Sequence, residues 1–333
     1  MRLIYYKGRN PNFGDDMNAV LWPSLAPSLF NQDGEDRDGF LGIGTIIGMK
    51  TPPVRTLHVF SSGVGYDPTT GDGTPRKFWC VRGPMSARRL GLEPDAALTD
   101  GALLSPLLWS DQGVTRDRVG VVPHWESVLA GGWAEACAQA DFDLIDPMGA
   151  PEPVIRAIMG KRLILTESLH GAILADTYGV PWLPFAVSGN FSAFKWFDWT
   201  ASVGVSPRFR MLPPPDAKAL LHFGRPRWAR FGDDVVFDEA AAHHDFESRT
   251  APPAPAAAPS LKQTLAAQAK KVLSAGPARH VLGYGPARTA EALQALAKEP
   301  AQASADSRRA TLRQGLLDRF ATLAREQGAE PSF

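Results

Sequence analysis

The chain has 333 residues with 44% hydrophobic side chains, enough apolar material for two ordinary domains or one large one, which excludes an intrinsically disordered protein. Lys and Arg total 35 against 35 Asp and Glu, so the formal charge is zero and gives no global argument for nucleic-acid binding. Two cysteines, Cys80 and Cys137, both in apolar surroundings, exclude a disulfide scaffold and point to a reducing compartment; with a leading apolar run too short for a signal peptide and no stretch near the roughly 18 residues of a membrane span, a soluble cytoplasmic protein is expected.

Leu3 to Tyr6 reads as a first strand, and Asn10 to Asn18 turns into a helix carrying Met17, Val20 and Leu21, with Asp15 or Asp16 as its cap. Phe40 to Ile47 and Leu57 to Phe60 are further apolar strands, running into turns with Gly42 and Gly44, then Gly63 and Gly65, which suit close approach by a ligand or by backbone. Phe78 to Val81 is the next strand, followed by Arg82 and a helix opened by Pro84 and closed by Gly91; Ala97 to Asp100 reads as a short strand and its exit. The sequence turns polar from Ser110 to Arg118, and strand-helix alternation restarts at Val119 to Val122, which separates a unit at 1–114 from one at 115–245. The second unit is expected to hold a helix from Glu126 to Gln139, a strand from Phe142 to Ile145 and a helix from Pro151 to Met159. A strand at Leu163 to Leu165, a helix from Leu169 to Tyr178, a strand at Trp182 to Val187 and an aromatic-rich helix at Phe194 to Val203 complete it. Two such alternating units predict an α/β protein of two Rossmann-like domains, with parallel sheets covered by helices and ligands at the carboxyl ends of the strands.

Residues 246–260 read as an Ala/Pro-rich linker, and 261–333 as a weakly helical basic tail whose best helix, Ser307 to Arg325, carries Leu312, Leu316, Phe320 and Leu323 on one stripe. From Ala251 onward there are eleven Lys/Arg against six Asp/Glu. Such a tail can touch anionic lipid at the inner face of the plasma membrane or a partner protein, or simply consist of solvated, half-ordered helices.

Ser168-Leu-His170-Gly171 sits between a buried strand and a helix start, where free backbone N–H groups and the helix dipole favour an anion; it offers a hydroxyl, an imidazole and a close backbone approach, although a histidine there can also be only a cap or a packing group. Arg82, also after a strand, is placed either to hold a carboxylate or phosphate by two parallel hydrogen bonds or to pair with a helix carboxylate at the surface. Asn12 and Gly14 open a loop that can offer amides to a ligand, with Asp15 or Asp16 as a base, a hydroxyl-binding group or a plain cap. His124 and Glu126 start the second unit as ligand groups or dipole partners, and Lys195 with Trp196 and Trp199 offers a cation and a sugar-stacking surface or merely core. No metal-ligand spacing, Walker loop, dinucleotide fingerprint or Gly-x-Ser-x-Gly occurs, so neither metal nor cofactor is expected.

Taken in order, Asn12-Phe-Gly-Asp-Asp-Met-Asn18, Gly63-Val-Gly65, Val81-Arg-Gly-Pro-Met-Ser86, Leu98-Thr-Asp100, Val122-Pro-His124 and Ser168-Leu-His-Gly171 resemble the polysaccharide pyruvyl transferase family, most of all its exopolysaccharide ketalases, over about residues 1 to 205. The resemblance implies a GT-B-like two-domain fold, phosphoenolpyruvate as donor and a sugar acceptor, free or lipid-linked, that receives a pyruvate ketal as phosphate is released. It also implies that Arg82 and His170 handle phosphoenolpyruvate, His170 as acid or phosphate anchor, while Asp15, Asp16 or Glu126 accepts the hydroxyl proton. The family's more common Arg-Asp is Arg82-Gly83 here. Alternatives of the same setting are a nucleotide-sugar glycosyltransferase and a non-catalytic glycan-binding scaffold.

Overall fold

Short buried runs alternate with helices twice along the chain, and the strands sort accordingly into two sheets. The computed structural model describes residues 1–30, 37–65, 73–225, 229–251 and 283–333. Strands β1 (Arg2–Ile4), β2 (Gly39–Leu41), β3 (Leu57–Phe60) and β4 (Arg76–Cys80) form one sheet in that order, all parallel. Strands β5 (Asp117–Val122), β6 (Asp143–Leu144), β7 (Lys161–Thr166), β8 (Trp182–Ala186), β9 (Arg208–Met211) and β10 (Asp234–Val236) form the other, in the order β10-β9-β8-β7-β5-β6, with only β10 antiparallel. Central β7 is buried from Leu163 to Thr166, as a strand covered on both faces must be. The α/β expectation with parallel sheets therefore holds.

Several element boundaries differ from the sequence reading, most by one to three residues, and three differences bear on the architecture. The strand expected from Phe40 to Ile47 ends at Leu41, because Asn18 captures the next loop: its side chain accepts from Ile43 N at 2.8 Å, donates to Ile43 O at 2.9 Å and accepts from the Trp22 indole at 2.7 Å. The helix expected from Glu126 to Gln139 is broken by Gly131 and Gly132 (φ 97° and 82°), a pair of left-handed conformations that glycine adopts at little cost. Ala97 makes only an isolated bridge to Val81.

The C-terminal region departs furthest from its reading as a tail. Residues 246–250, assigned to the linker, complete a helix at Glu239–Thr250 whose Phe246 is buried, 4.7 Å between ring centroids from Phe194. The last helix, Asp306–Glu326, buries the anticipated stripe of Leu312, Leu316, Phe320 and Leu323. Phe320 enters the first sheet's core, with ring centroids 5.4 Å from Trp22 and 5.5 Å from Phe60. Its arginines clamp the rest of the chain, Arg308 on Ser202 O, Arg313 on Leu103 O and Arg319 on Trp79 O. The helix is thus core, in contrast to the half-ordered reading. The remainder of the linker and residues 261–282 of the tail lie outside the described residues.

Candidate functional site

At the end of β7 the chain must reverse tightly into α1 (Leu169–Thr177), and Thr166 stitches that turn: its hydroxyl accepts from Ser168 N at 3.0 Å and donates to Ser168 O at 2.8 Å. Ser168 then caps the helix by accepting from Gly171 N at 3.3 Å. A Cβ on Gly171 would stand 2.5 Å from Thr166 Oγ1, so the glycine is there to admit the hydroxyl. The turn presents His170 to the first half of the molecule, where its ring lies on Gly14; a Cβ there would fall 1.9 Å from Nδ1. His170 Nε2 is buried without a hydrogen-bond partner. Burial, then the charges of Arg82 and Lys195, push the imidazole down to about 3, so it is neutral at physiological pH.

The opposing wall comes from the short helix Phe13–Asp16. Asn12 is its cap, accepting from Gly14 N at 3.2 Å, while Asp16 reaches back to accept from Asn12 N at 3.1 Å, a reciprocal arrangement that satisfies helix-start donors. The cap is thus Asn12, in place of the expected Asp15 or Asp16, and Asp16 does not line the cavity. Asp15 does; its Oδ2 accepts from Asn12 Nδ2 at 2.8 Å. Burial pushes its carboxyl up to about 7; Lys195 opposes the rise, and Asp16 and Asp100 add to it.

The cavity, about 360 Å³, is lined among others by Tyr6, Asp15, Thr45, His124, Trp125, Glu126, Ser168, His170, Asn190 and Lys195. All follow the carboxyl ends of β1, β2, β5, β7 or β8, where ligands of parallel sheets bind. Lys195 is the only lysine or arginine among the described residues lining it. It stands in the first turn of helix Ala193–Val203, its stem against Gly65, where a Cβ would lie 3.0 Å from Lys195 Cγ and 2.6 Å from Thr45 Cγ2. His124 Nδ1 is 3.3 Å from Asn190 Nδ2, which also bonds Glu126 Oε2. Burial and Lys195 hold His124 down at about 3. Beneath it, Glu167 accepts from His124 N at 3.0 Å and Val187 N at 3.4 Å, and burial raises its carboxyl to about 7.

Arg82 does not line this cavity. Its side chain is 1% exposed; Nε donates to Asp198 Oδ2 at 3.3 Å and Nη1 to Thr45 Oγ1 at 2.7 Å. Asp198 also accepts from Ser86 N at 2.9 Å and Ser86 Oγ at 2.6 Å. Gly63 leaves room for the guanidinium, and a Cβ at Gly83 would strike Asp198 O at 1.9 Å. The expected meeting of Arg82 and His170 across an open cleft is therefore replaced by a buried arginine that backs the wall through Thr45. Of the aromatic run beginning at Lys195, Trp196 and Trp199 pack in the core against Trp182, and neither lines this cavity. The glycines at 14, 63, 65 and 171 each stand close against a protein side chain, respectively His170, Arg82, Thr45 with Lys195, and Thr166. Asp198→Ala would leave Arg82 buried and uncompensated, so unfolding free energy should fall by about 3 kcal/mol, read in denaturant melts.

Over 233 residues, 68% of this chain and 73% of the relative, the sequence is 36% identical to the succinoglycan biosynthesis protein ExoV of Rhizobium meliloti (strain 1021). The chain belongs to the ExoV family. No family model matches the sequence, and no solved structure matches it. Among its described residues this ExoV-family protein has no helix long and apolar enough to cross a membrane and no group of three or more His, Cys, Asp and Glu that could hold a metal ion. The cavity of this ExoV-family protein brings together an ammonium, a raised carboxyl and a neutral imidazole.

Tyr6, Trp125, Thr45, Asn190, Glu167 and Asp198 escaped the sequence reading. Only Glu167 carried a local signal, a carboxylate between an apolar strand and the Ser168 cap.

Proposed function

We propose that the protein moves the pyruvyl group of phosphoenolpyruvate onto two hydroxyls of a sugar in an exopolysaccharide precursor, free or lipid-linked, within a GT-B-like arrangement of its two sheets. The observation that carries the reading is the pairing of Asp15 and His170 in one cavity with Lys195, in a chain whose relative is named for succinoglycan biosynthesis.

Phosphoenolpyruvate brings a carboxylate and a phosphate, and Lys195 is the cation in reach, with Arg82 adding positive potential from behind Thr45. The methylene carbon must be protonated to make its neighbour electrophilic. Asp15, raised to about 7, holds a proton at neutral pH and is assigned as that acid. A sugar hydroxyl then adds and gives its proton to His170, whose neutral ring can accept it at Nε2. The second hydroxyl displaces phosphate, which leaves with the second hydroxyl proton as hydrogen phosphate. His170 then gives the proton it took back to Asp15, which restores both groups; in net terms one hydroxyl proton replaces the one that entered the methyl group and the other leaves on phosphate. These roles exchange those expected from the sequence, because burial moves the two groups in opposite directions.

The test is incubation with phosphoenolpyruvate and oligosaccharides from succinoglycan that have been treated with mild acid to remove ketals. Stoichiometric phosphate release with a gain of one pyruvate ketal by mass spectrometry is expected. Turnover of a nucleotide sugar with phosphoenolpyruvate untouched would replace this reading with glycosyl transfer.

A further inference from the structure

The cavity lining is chemically mixed. Asp15, His170 and Lys195 share it with two aromatic side chains, Tyr6 and Trp125, and with Glu126 and Asn190. Tyr6 keeps 48% of its surface exposed although it lines a cavity, and it is backed by a glycine: a Cβ at Gly8 would lie 2.8 Å from Tyr6 Cε1. Trp125 opens the helix Trp125–Ala130, half-buried, its ring centroid 5.9 Å from that of His124. Large aromatic rings left open to solvent forgo the stabilisation that burying them would give. Trp22, Trp133, Trp182 and Trp199 in the same chain are fully buried.

We propose that Tyr6 and Trp125 form the acceptor subsite, a platform for a neutral hexopyranose of the polysaccharide, with Glu126 and Asn190 reading its hydroxyls. A pyranose has an apolar face of C–H groups and a rim of hydroxyls. The face matches an aromatic ring, and the rim needs acceptors and donors fixed in place. Asn190 and Glu126 are so fixed, since Asn190 Nδ2 donates to Glu126 Oε2 and lies 3.3 Å from His124 Nδ1. Glu126 also repels an anion, so the ligand that Glu126 and Asn190 suit is an uncharged one. The inference rests on the reading of the cavity as a pyruvyl-transfer site for its donor only; sugar binding itself does not require it.

Binding is measured by isothermal titration with the acid-treated succinoglycan oligosaccharides, without phosphoenolpyruvate. Trp125→Ala and Tyr6→Ala are each expected to weaken binding about tenfold, while Trp125→Phe, which keeps an aromatic face, stays within about threefold. In turnover, the change should fall on the KM for oligosaccharide and spare that for phosphoenolpyruvate. Glu126→Gln, which keeps shape and removes a charged acceptor, should weaken oligosaccharide binding several-fold, and it decides the matter if Trp125→Ala does not fold. Unchanged oligosaccharide affinity in Trp125→Ala, or in Glu126→Gln where that variant must stand in, overturns the subsite. If oligosaccharide binds in a Trp125-dependent manner and phosphoenolpyruvate is never consumed, the subsite stands and the donor reading alone fails. Phosphate release with an acceptor KM indifferent to Trp125 has the reverse meaning.

Discussion

A chain ended before residue 306 is expected to lose cooperative unfolding altogether. Helix Asp306–Glu326 places Phe320 against Trp22, Phe40 and Phe60, and Leu312, Leu316 and Leu323 are buried beside it. Removing it would uncover the side of Trp22, Phe40 and Phe60 on which Phe320 packs, and would release the carbonyls of Ser202, Leu103 and Trp79 from their arginine donors. The milder probe is Phe320→Ala, for which a loss of about 3–5 kcal/mol is expected from burial and cavity costs. That corresponds to a fall of roughly 4–7 °C in Tm. Circular dichroism melts and soluble yield read both variants. A truncated chain that keeps a sharp transition near the full-length Tm would mean the helix is an appendage after all.

The same helix shows how far sequence can reach. Its stripe was legible because a 3.6-residue period is a local property, and the boundaries came within one residue at each end. What the stripe covers was not legible, since an apolar face specifies only that a partner exists. The preceding Ala/Pro-rich run made solvation look natural. The strand Leu57–Phe60 and the helix Pro151–Met159 match residue for residue, while Arg208–Met211 and Asp234–Val236 were not foreseen.

In the site, the strand ends gave the right neighbourhood and the side-chain directions did not follow. Ser168 and His170 sit in the turn their pattern implied, yet Asp15 and Asp16, adjacent in sequence, divide between cavity and cap according to which can reach back to Asn12 N. Arg82 meets one of its two sequence readings in part: it is paired with a helix carboxylate, but buried instead of at the surface, because its partner Asp198 is 116 residues away. Contacts at that separation leave no local mark. Trp125 and Asn190 were silent for the same reason: each is an ordinary residue until the two halves place it at one cavity.

The largest functional effects should come from Asp15→Asn and His170→Ala, each lowering kcat/KM for phosphoenolpyruvate by about 10²–10⁴-fold if they serve as acid and base. The pH dependence separates the two roles. With Asp15 as the acid, the active form is protonated, so kcat/KM should fall tenfold per unit as pH rises above about 7. His170, neutral above about 3, imposes no acid limb in the accessible range, and a rise through about pH 6 would belong to the substrate phosphate. The raised pKa is also readable without turnover. Because Asp15 titrates higher in the folded chain than its ordinary 3.8, the folded state holds an extra proton between about 4 and 7, and stability drawn from it is present at acid pH and lost as pH rises through that window. Asparagine cannot ionise, so Asp15→Asn should gain on the wild type from about pH 4 to about pH 7, by on the order of 2 kcal/mol once the partial exposure of the side chain is discounted. If that stability difference develops as expected while wild-type kcat/KM keeps climbing past pH 7, Asp15 is the base and His170 the acid, and the proton flow in the cavity runs the other way.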